Sequence, residues 1–191
     1  PFHTIPVGIV FKGEVCITIS FHKTQMLSDF VTYSKRKNID IKDNFDLVLK
    51  LLLSSSVWFL KYLKQVNQKI KLAEDNLEKS IKNEELQALL QIEKCLVFFM
   101  TSLKGNDILL HRIKNIKSQR EHFDLDLLED VEIELRQAQE TTNIYSDILT
   151  GTMDAYASVI SNNMNTIMKQ MTSISIILMI PTLIASLYGM N

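Results

Sequence analysis

Hydrophobic and polar residues alternate only in the first part of the chain. Two runs with a period of two lie within 5–21, and Gly13 stands between them. Alternation of this kind around a glycine predicts a β-hairpin, because successive side chains of a strand point to opposite faces. A short helix over 26–37, capped by Thr24 or Ser28, is expected to follow.

From residue 44 the spacing of apolar positions changes from two to an alternation of three and four. This spacing predicts a helix over 44–82 with a heptad seam. The seam residues are Leu52, Ser56, Phe59, Leu63, Val66, Ile70, Ala73 and Leu77. A second helix starts near Asn83 and is expected to end near Gly105 or slightly beyond it, so that the two form an antiparallel helical hairpin. We expect Trp58, and the aromatic and methionine cluster at 98–100, in its core.

The last helix is predicted to begin near Asp124 and to carry two seams. Nothing after Asp124 forces a break, because a single glycine at position 151 costs only about 1 kcal/mol relative to alanine. A large apolar seam comprises Leu128, Val131, Leu135, Ala138, Thr142, Tyr145, Leu149, Thr152, Tyr156 and Val159. A second seam, which we name the polar stripe, comprises Asp147, Gly151, Asp154, Ser158, Ser161, Asn165, Met168, Thr172, Ser175, Met179, Thr182 and Ser186. Two seams on one helix predict several partner helices.

The end of this helix is apolar enough to cross a membrane. No charged side chain follows Lys169, and the uncharged run is long enough for a hydrocarbon core of about 30 Å. Serine and threonine on such a helix can bond to the carbonyls of the preceding turn, which would make the segment a simple anchor. However, the polar stripe continues out of this segment as far as Asp154, and that continuity favours a water-filled axis lined by a ring of identical helices.

On such an axis, the stripe residues suit the passage of a cation. A ring of Asp154 carboxylates would attract cations, and oxygens of Asn165 and Thr182 would contact a hydrated ion. Three methionines on or beside the stripe would form apolar constrictions that gate by dewetting, or else they are ordinary packing residues. These are Met168, Met171 and Met179.

Composition argues against several classes of protein. The net charge of -1 and the 46% hydrophobic content favour neither nucleic-acid binding nor disorder. No signal peptide is visible, and Cys16 and Cys95 lack a CxxC spacing, so we expect reduced thiols and a mainly cytosolic chain. None of the four histidines has a metal-ligand spacing, and neither a GxSxG motif nor a phosphate-binding glycine loop is present, so no enzyme is predicted.

The chain ends in the sequence YGMN at 188–191, which resembles the signature of the CorA family of magnesium channels. The segments 151–156, 161–172 and 181–185 resemble the end of the family's stalk and its first transmembrane helix. The resemblance implies a homopentameric channel in the cell membrane, with most of this chain in the cytoplasm and its end at the close of the first transmembrane helix. Mg²⁺ would be both the transported and the regulatory ion, with Co²⁺ as a further candidate, and neither nucleic acid nor another small-molecule substrate is implied.

The resemblance also implies roles for individual residues. Asn191 would receive hydrated Mg²⁺ in a ring at the outer mouth of the pore, because Mg²⁺ gives up its waters reluctantly. Asp130 occupies a family position that binds regulatory divalent ions between subunits, and a solvated acidic face is the alternative. The implied pore residues are Asp154, Asn165, Met168, Met171, Thr172, Ser175, Met179, Thr182, Gly189, Met190 and Asn191.

The predicted fold class is mainly α. A β-hairpin ends an α/β cytoplasmic domain, and a long antiparallel helix pair and a very long stalk helix follow, the latter continuing into one transmembrane helix. The expected domains are the end of the α/β domain (1–40), the helical hairpin arms (41–122), the stalk helix (123–168) and the first transmembrane helix (169–191). Two other functions stay open: the zinc-transporting branch of the same superfamily, which Met190 argues against, and a membrane-anchored coiled-coil scaffold or signalling protein.

Overall fold

The computed structural model describes residues 2–13, 15–79, 83–117 and 124–189 of the chain. Within these ranges, the secondary structure is one pair of strands followed by four helices. The elements are β1 (Val7–Lys12), β2 (Val15–Ser20), α1 (Gln25–Lys37), α2 (Asn44–Lys79), α3 (Asn83–Lys117) and α4 (Leu125–Tyr188). The chain divides into two compact units, Pro1–Leu149 and Thr150–Asn191. The predicted fold class, mainly α with one β-hairpin, is confirmed.

The β-hairpin lies where the alternation predicts it. β1 and β2 pair in antiparallel register with Val7 opposite Ser20, and Gly13 between them has a φ of 60°, which favours a residue without a Cβ. One face of the hairpin, with Ile9 and Phe11, packs against the hydrophobic core. That burial offsets the marginal stability of a two-stranded sheet.

The structure selects one of the two predicted caps of α1. The Leu27 N–H donates to Thr24 Oγ1 at 3.4 Å, so Thr24 is the N-cap, whereas the Ser28 hydroxyl donates to the Thr24 carbonyl within the first turn. Asn38 ends the helix in the left-handed conformation, with φ 47°, and its N–H bonds to the Lys35 carbonyl. Asparagine tolerates this conformation better than most residues.

α2 and α3 form the predicted helical hairpin, and its heptad seam is buried. Seven of the eight seam residues of α2 are buried, and the eighth, Phe59, is half-buried with its ring edge on Phe99 at a centroid distance of 5.2 Å. The buried residues of α3 are Leu89, Ile92, Cys95, Leu96, Phe99, Leu103, Leu110 and Ile113. The three-and-four spacing therefore identified the buried face of α2 correctly.

The structure corrects the predicted core at Trp58 and Phe98. Trp58 is only half-buried, with its ring 5.5 Å from that of Tyr62 and 3.9 Å from the Lys61 ammonium. Phe98 is 46% exposed, although its neighbour Phe99 is buried. Each of these two residues precedes a seam position and so lies about 100° around the helix from it. At that angle a large ring reaches only the border of the core.

α3 also continues past its predicted end. It runs through Gly105 to Lys117, because Leu110 and Ile113 extend the buried seam. Burying an aliphatic side chain stabilises by about 1.5–3 kcal/mol, whereas a glycine within a helix costs about 1 kcal/mol relative to alanine. Burial therefore outweighs the glycine, and the prediction that α3 ends near Gly105 is wrong.

α4 begins directly after Asp124, which caps it by accepting the Leu127 N–H on Oδ1 at 3.1 Å. In the first unit its large apolar seam is buried at Leu128, Val131, Leu135, Ala138, Thr142 and Leu149. In the second unit every described side chain from residue 161 onward is exposed. Pro181 lies inside the helix and does not end it.

Candidate ion pathway on the last helix

The polar stripe shares one face of α4, because the helix is continuous as far as Tyr188. Alternating steps of three and four average close to the 3.6 residues of a helical turn. From position 154 onward the described members of the stripe are all exposed. They are Asp154, Ser158, Ser161, Asn165, Met168, Thr172, Ser175, Met179, Thr182 and Ser186. Within one chain, the described residues leave this face open.

Four hydroxyl groups of the stripe share one orientation. Each donates to a carbonyl three or four residues earlier: Ser158 at 3.0 Å, Thr172 at 2.8 Å, Ser175 at 2.9 Å and Thr182 at 2.8 Å. A hydroxyl has one proton and two acceptor lone pairs, so a hydroxyl whose proton is bound to the backbone presents only acceptors. These four groups therefore offer oxygen acceptors to whatever lies beside the stripe.

Bonding to the backbone does not by itself distinguish the stripe. Thr166 and Ser173, which lie off the stripe about 100° around α4, donate to the carbonyls of Asn162 and Lys169 at 3.0 and 2.9 Å. Serine and threonine within helices commonly bond in this way. The stripe differs from these off-stripe residues in its continuity along the helix and in its acidic end at Asp154.

The three methionines predicted to form constrictions are exposed, like the other large apolar side chains of this part of α4. Met168, Met171 and Met179 are 60%, 62% and 72% exposed. The described residues of the same chain do not cover them. The contacts within one chain therefore do not distinguish between the two alternatives, constriction and ordinary packing.

Asp130 lies on an exposed acidic turn of α4. Its neighbour Glu129 is also exposed, whereas Glu132 is half-buried and pairs with Lys114 of α3 at 2.7 Å. In the part of the chain that the structure describes, no group of three or more His, Cys, Asp or Glu side chains is placed to hold a metal ion. The described residues of one chain therefore do not form the regulatory site predicted at Asp130.

Gly189 follows the last turn of α4 and donates its N–H to the Ala185 carbonyl at 2.9 Å. A Cβ at this position would lie 3.2 Å from that oxygen, which is tighter than an ordinary contact, so a glycine suits the site. Met190 and Asn191, the rest of the predicted signature, lie outside the described residues.

One polar network in the first unit was not predicted from the sequence. Asp46 is only 4% exposed and pairs with Lys50 at 2.7 Å, and Lys42 pairs with Asp124 at 3.0 Å. The Leu127 N–H, and after it the Lys42 ammonium, hold the pKa of Asp124 below its usual value. The i, i+4 spacing of Asp46 and Lys50 is the sequence signal that could have revealed part of this network.

Two of the described helices are long and apolar enough to cross a membrane, judged by length and composition alone. They are α3 and α4, and the most apolar stretch of α4 is the more hydrophobic of the two. A third of the most apolar stretch of α3 is buried inside the protein, whereas none of the corresponding stretch of α4 is buried. Partial burial is typical of a helix that packs in a soluble unit, so α4 is the better candidate for a span.

The family model described as "CorA-like Mg2+ transporter protein" matches residues 2–191. The chain belongs to this CorA-like family. The resemblance drawn from the YGMN signature is thus confirmed, and so is the expectation that the chain is not an enzyme, because the family is one of transporters.

Two relatives carry the name cobalt/magnesium transport protein CorA. The one from Methanocaldococcus jannaschii is 26% identical over 197 residues, which cover 98% of this chain and 61% of that protein. The one from Thermotoga maritima is 27% identical over 152 residues, which cover 78% of this chain and 43% of that protein. The chain thus spans about three fifths of the length of the first CorA relative and less than half of the second.

Two solved structures support the fold. The complete structure of the CorA magnesium transporter from M. jannaschii matches 98% of this chain and 64% of that chain, with a TM-score of 0.72 and 22% identity. The structure of the soluble domain of the same CorA matches 78% of this chain and 61% of that chain, with a TM-score of 0.60 and 20% identity. The helical hairpin and long last helix therefore belong to a CorA-like fold.

Proposed function

We propose that this chain is part of a subunit of a homo-oligomeric channel that conducts Mg²⁺, with Co²⁺ as a further cation, across the cell membrane. The observation that carries the proposal is the polar stripe, an exposed face rich in oxygen acceptors on the apolar helix α4 of a CorA-like chain. The names of the two relatives, both cobalt/magnesium transport proteins, support the choice of ions.

A ring of identical helices accounts for a helix with one polar face in a membrane. Lipid offers no hydrogen-bond donors to the acceptors of the stripe, so water or another polar surface suits this face better. Rotational symmetry brings the same face of every copy to a common axis, where the stripes together line a water-filled path. The number of copies, five, rests on the family resemblance alone.

The orientation of the stripe hydroxyls suits a hydrated cation. Mg²⁺ keeps several of its waters, and waters bound to a cation point their hydrogens outward. Acceptors such as Thr172, Ser175 and Thr182 can take those hydrogens, whereas a hydrated anion would present water oxygens to them. A ring of Asp154 carboxylates would concentrate cations at one end of the path, and Asn191 would receive the hydrated ion at the other.

Gating in this proposal depends on two regions of α4. Met168, Met171 and Met179 would narrow the path with apolar side chains and close it by dewetting. Mg²⁺ bound at Asp130 would bridge neighbouring subunits and favour the closed state, giving feedback by internal Mg²⁺.

The proposal divides the chain into four parts. Residues 1–40 would end a cytoplasmic α/β domain, 41–122 would form its helical arms, 123–168 would form the stalk, and 169–191 would form the first transmembrane helix.

A matched pair of threonine variants tests the stripe. We expect Thr182→Val in the full-length protein to lower the rate of Mg²⁺ uptake about three- to tenfold, because each subunit loses one hydrogen-bond acceptor worth about 0.5–1.5 kcal/mol. Thr166→Val removes a hydroxyl that also bonds to the backbone but lies off the stripe, and it should leave uptake nearly unchanged. Uptake is measured in proteoliposomes with a Mg²⁺-sensitive dye inside.

Equal effects of the two variants would contradict a pore along the stripe and favour a simple membrane anchor. The oligomeric state of the full-length protein in detergent gives an independent check, since a monomer or dimer would overturn the ring. Uptake of Zn²⁺ without uptake of Mg²⁺ would favour the zinc-transporting branch instead.

A further inference from the structure

The connection between α1 and α2, residues 38–43, is bound to the first turns of α2, and we name it the elbow. Lys50 Nζ donates to the Asp40 carbonyl at 2.5 Å. The Lys42 N–H donates to Asp46 Oδ2 at 3.0 Å. Asp43 caps α2 by accepting the Asp46 N–H on Oδ1 at 2.7 Å. These three bonds hold the backbone of the elbow against α2.

The buried carboxylate of Asp46 is the centre of this arrangement. Its Oδ2 accepts from both Lys42 N–H and Lys50 Nζ, while its Oδ1 is buried without a hydrogen-bond partner among the described residues. A buried polar atom without a partner costs about 1–3 kcal/mol, and apolar replacements of buried ion pairs are often no less stable. Stability alone therefore explains Asp46 poorly, whereas its bond to Lys42 gives it a positional role.

The side chain of Lys42 extends from the elbow to the start of α4. Its ammonium lies 3.0 Å from Asp124 Oδ2, while Asp124 Oδ1 accepts the Leu127 N–H at 3.1 Å and the Asp124 carbonyl accepts the Leu128 N–H at 3.2 Å. One oxygen of this carboxylate thus caps α4, and the other binds the elbow.

We propose that the elbow is a clamp that holds the first turn of α4 in place, with Lys42 as a positioning residue for Asp130. Exposed ion pairs usually contribute little, partly because two long side chains must be ordered. Here the backbone of Lys42 is already held by Asp46, so only the Lys42 side chain has to be ordered for the pair to connect the elbow to α4. Asp130 follows Asp124 by six residues, or about 9 Å along the helix, so the clamp sets the position of its turn. The role of Asp130 rests on the proposed function.

The clamp is tested by hydrogen exchange in the full-length protein without added Mg²⁺. Lys42→Met removes the ammonium and keeps the backbone bond to Asp46, and Asp124→Asn removes the charge and keeps a good N-cap. We expect either change to speed amide exchange at Leu127 and Leu128 about threefold, within the range for exposed ion pairs, and the double variant to exchange no faster than the single ones.

Two control variants complete this experiment. Lys42→Arg should keep the slow exchange of the wild-type protein, and so should Lys64→Met, which removes an exposed lysine of α2 far from the elbow in sequence. Additive effects of the two single changes, or equal exchange in Lys42→Met and Lys64→Met, would refute the clamp.

The positioning role is tested by transport. We expect Lys42→Met to raise the internal Mg²⁺ concentration for half-inhibition about threefold while uptake at low internal Mg²⁺ stays at the wild-type rate. If Asp130→Ala shifts this concentration and Lys42→Met does not, the positioning role is refuted. If the wild-type protein takes up no Mg²⁺, or Asp130→Ala has no effect, the proposed function is wrong, and hydrogen exchange still decides whether the clamp exists.

Discussion

The buried seam of α2 permits a sharp test, because the helix carries two leucines in opposite environments. Leu63 is 0% exposed, and Leu72, nine positions along the same helix, is 63% exposed. Replacing either residue by alanine removes the same three carbon groups. Any difference between the two variants in the free energy of unfolding therefore reports environment rather than chemistry.

The expected magnitudes follow from burial. Three buried carbon groups are worth about 2.4 kcal/mol of transfer free energy, at about 0.8 kcal/mol each, and the cavity left behind adds to this. We therefore expect Leu63→Ala to cost about 2.5–5 kcal/mol. Leu72→Ala removes groups that are little more than a third buried, so we expect a cost of about 1 kcal/mol or less.

The assay is urea denaturation of the full-length protein in detergent, followed by the fluorescence of Trp58, which lies on α2 and is the only tryptophan among these 191 residues. The slope of the transition should be the same in both variants, so that the midpoints can be compared directly. Equal costs for the two leucines, or a larger cost at Leu72, would mean that a different face of α2 is buried, and the reasoning from the seam would fail.

Three further predictions concern a glycine pair and two carboxylates. Gly105→Ala should raise the free energy of unfolding by about 0.5–1 kcal/mol, because an added Cβ meets no atom within 4 Å. Gly13→Ala should lower it, because the φ of Gly13 is 60°. Shifts of the urea midpoint in the same direction for both variants would contradict this. The pKa of Asp124 is lower in the folded protein than in the unfolded chain, where it is about 3.9. This difference stabilises the folded state at pH values above the unfolded pKa, and the contribution is lost as the pH falls through the folded pKa. The stability difference between wild type and Asp124→Asn should therefore shrink below about pH 4, and a difference that stays constant from neutral to acid pH would refute the assignment. Asp130→Ala should raise the internal Mg²⁺ concentration for half-inhibition at least about tenfold, whereas Asp126→Ala should not, and equal responses of the two would favour a solvated acidic face.

Periodicity predicted the helices and their buried faces well, because burial acts on every turn of a long helix. The seam from Leu52 to Leu77 was read from spacing alone and is buried almost throughout. The predicted end of α3 was wrong, because it relied on a single glycine rather than on the buried seam. Gly105 looked like a helix end, but Leu110 and Ile113 continue the buried face beyond it.

The polar stripe was also derived from spacing, and the structure adds the orientation of its hydroxyls. Ser158, Thr172, Ser175 and Thr182 each donate their proton to the backbone, so the stripe presents acceptors. Spacing shows which side chains share a face, but the direction of a hydroxyl proton depends on the helix geometry around it. The acceptor character of the stripe therefore came from the structure.

By itself, the sequence determined the helices, their seams, the apolar end of α4 and the family to which the chain belongs. These features depend on residues close together in the chain, where a fixed helical period relates position to face. Only the tertiary structure brought Lys42 to Asp124, 82 residues away, and buried Asp46 beside the elbow. Contacts between charged groups far apart in the chain have no period, and they form only once α2 and α4 are packed into the same unit.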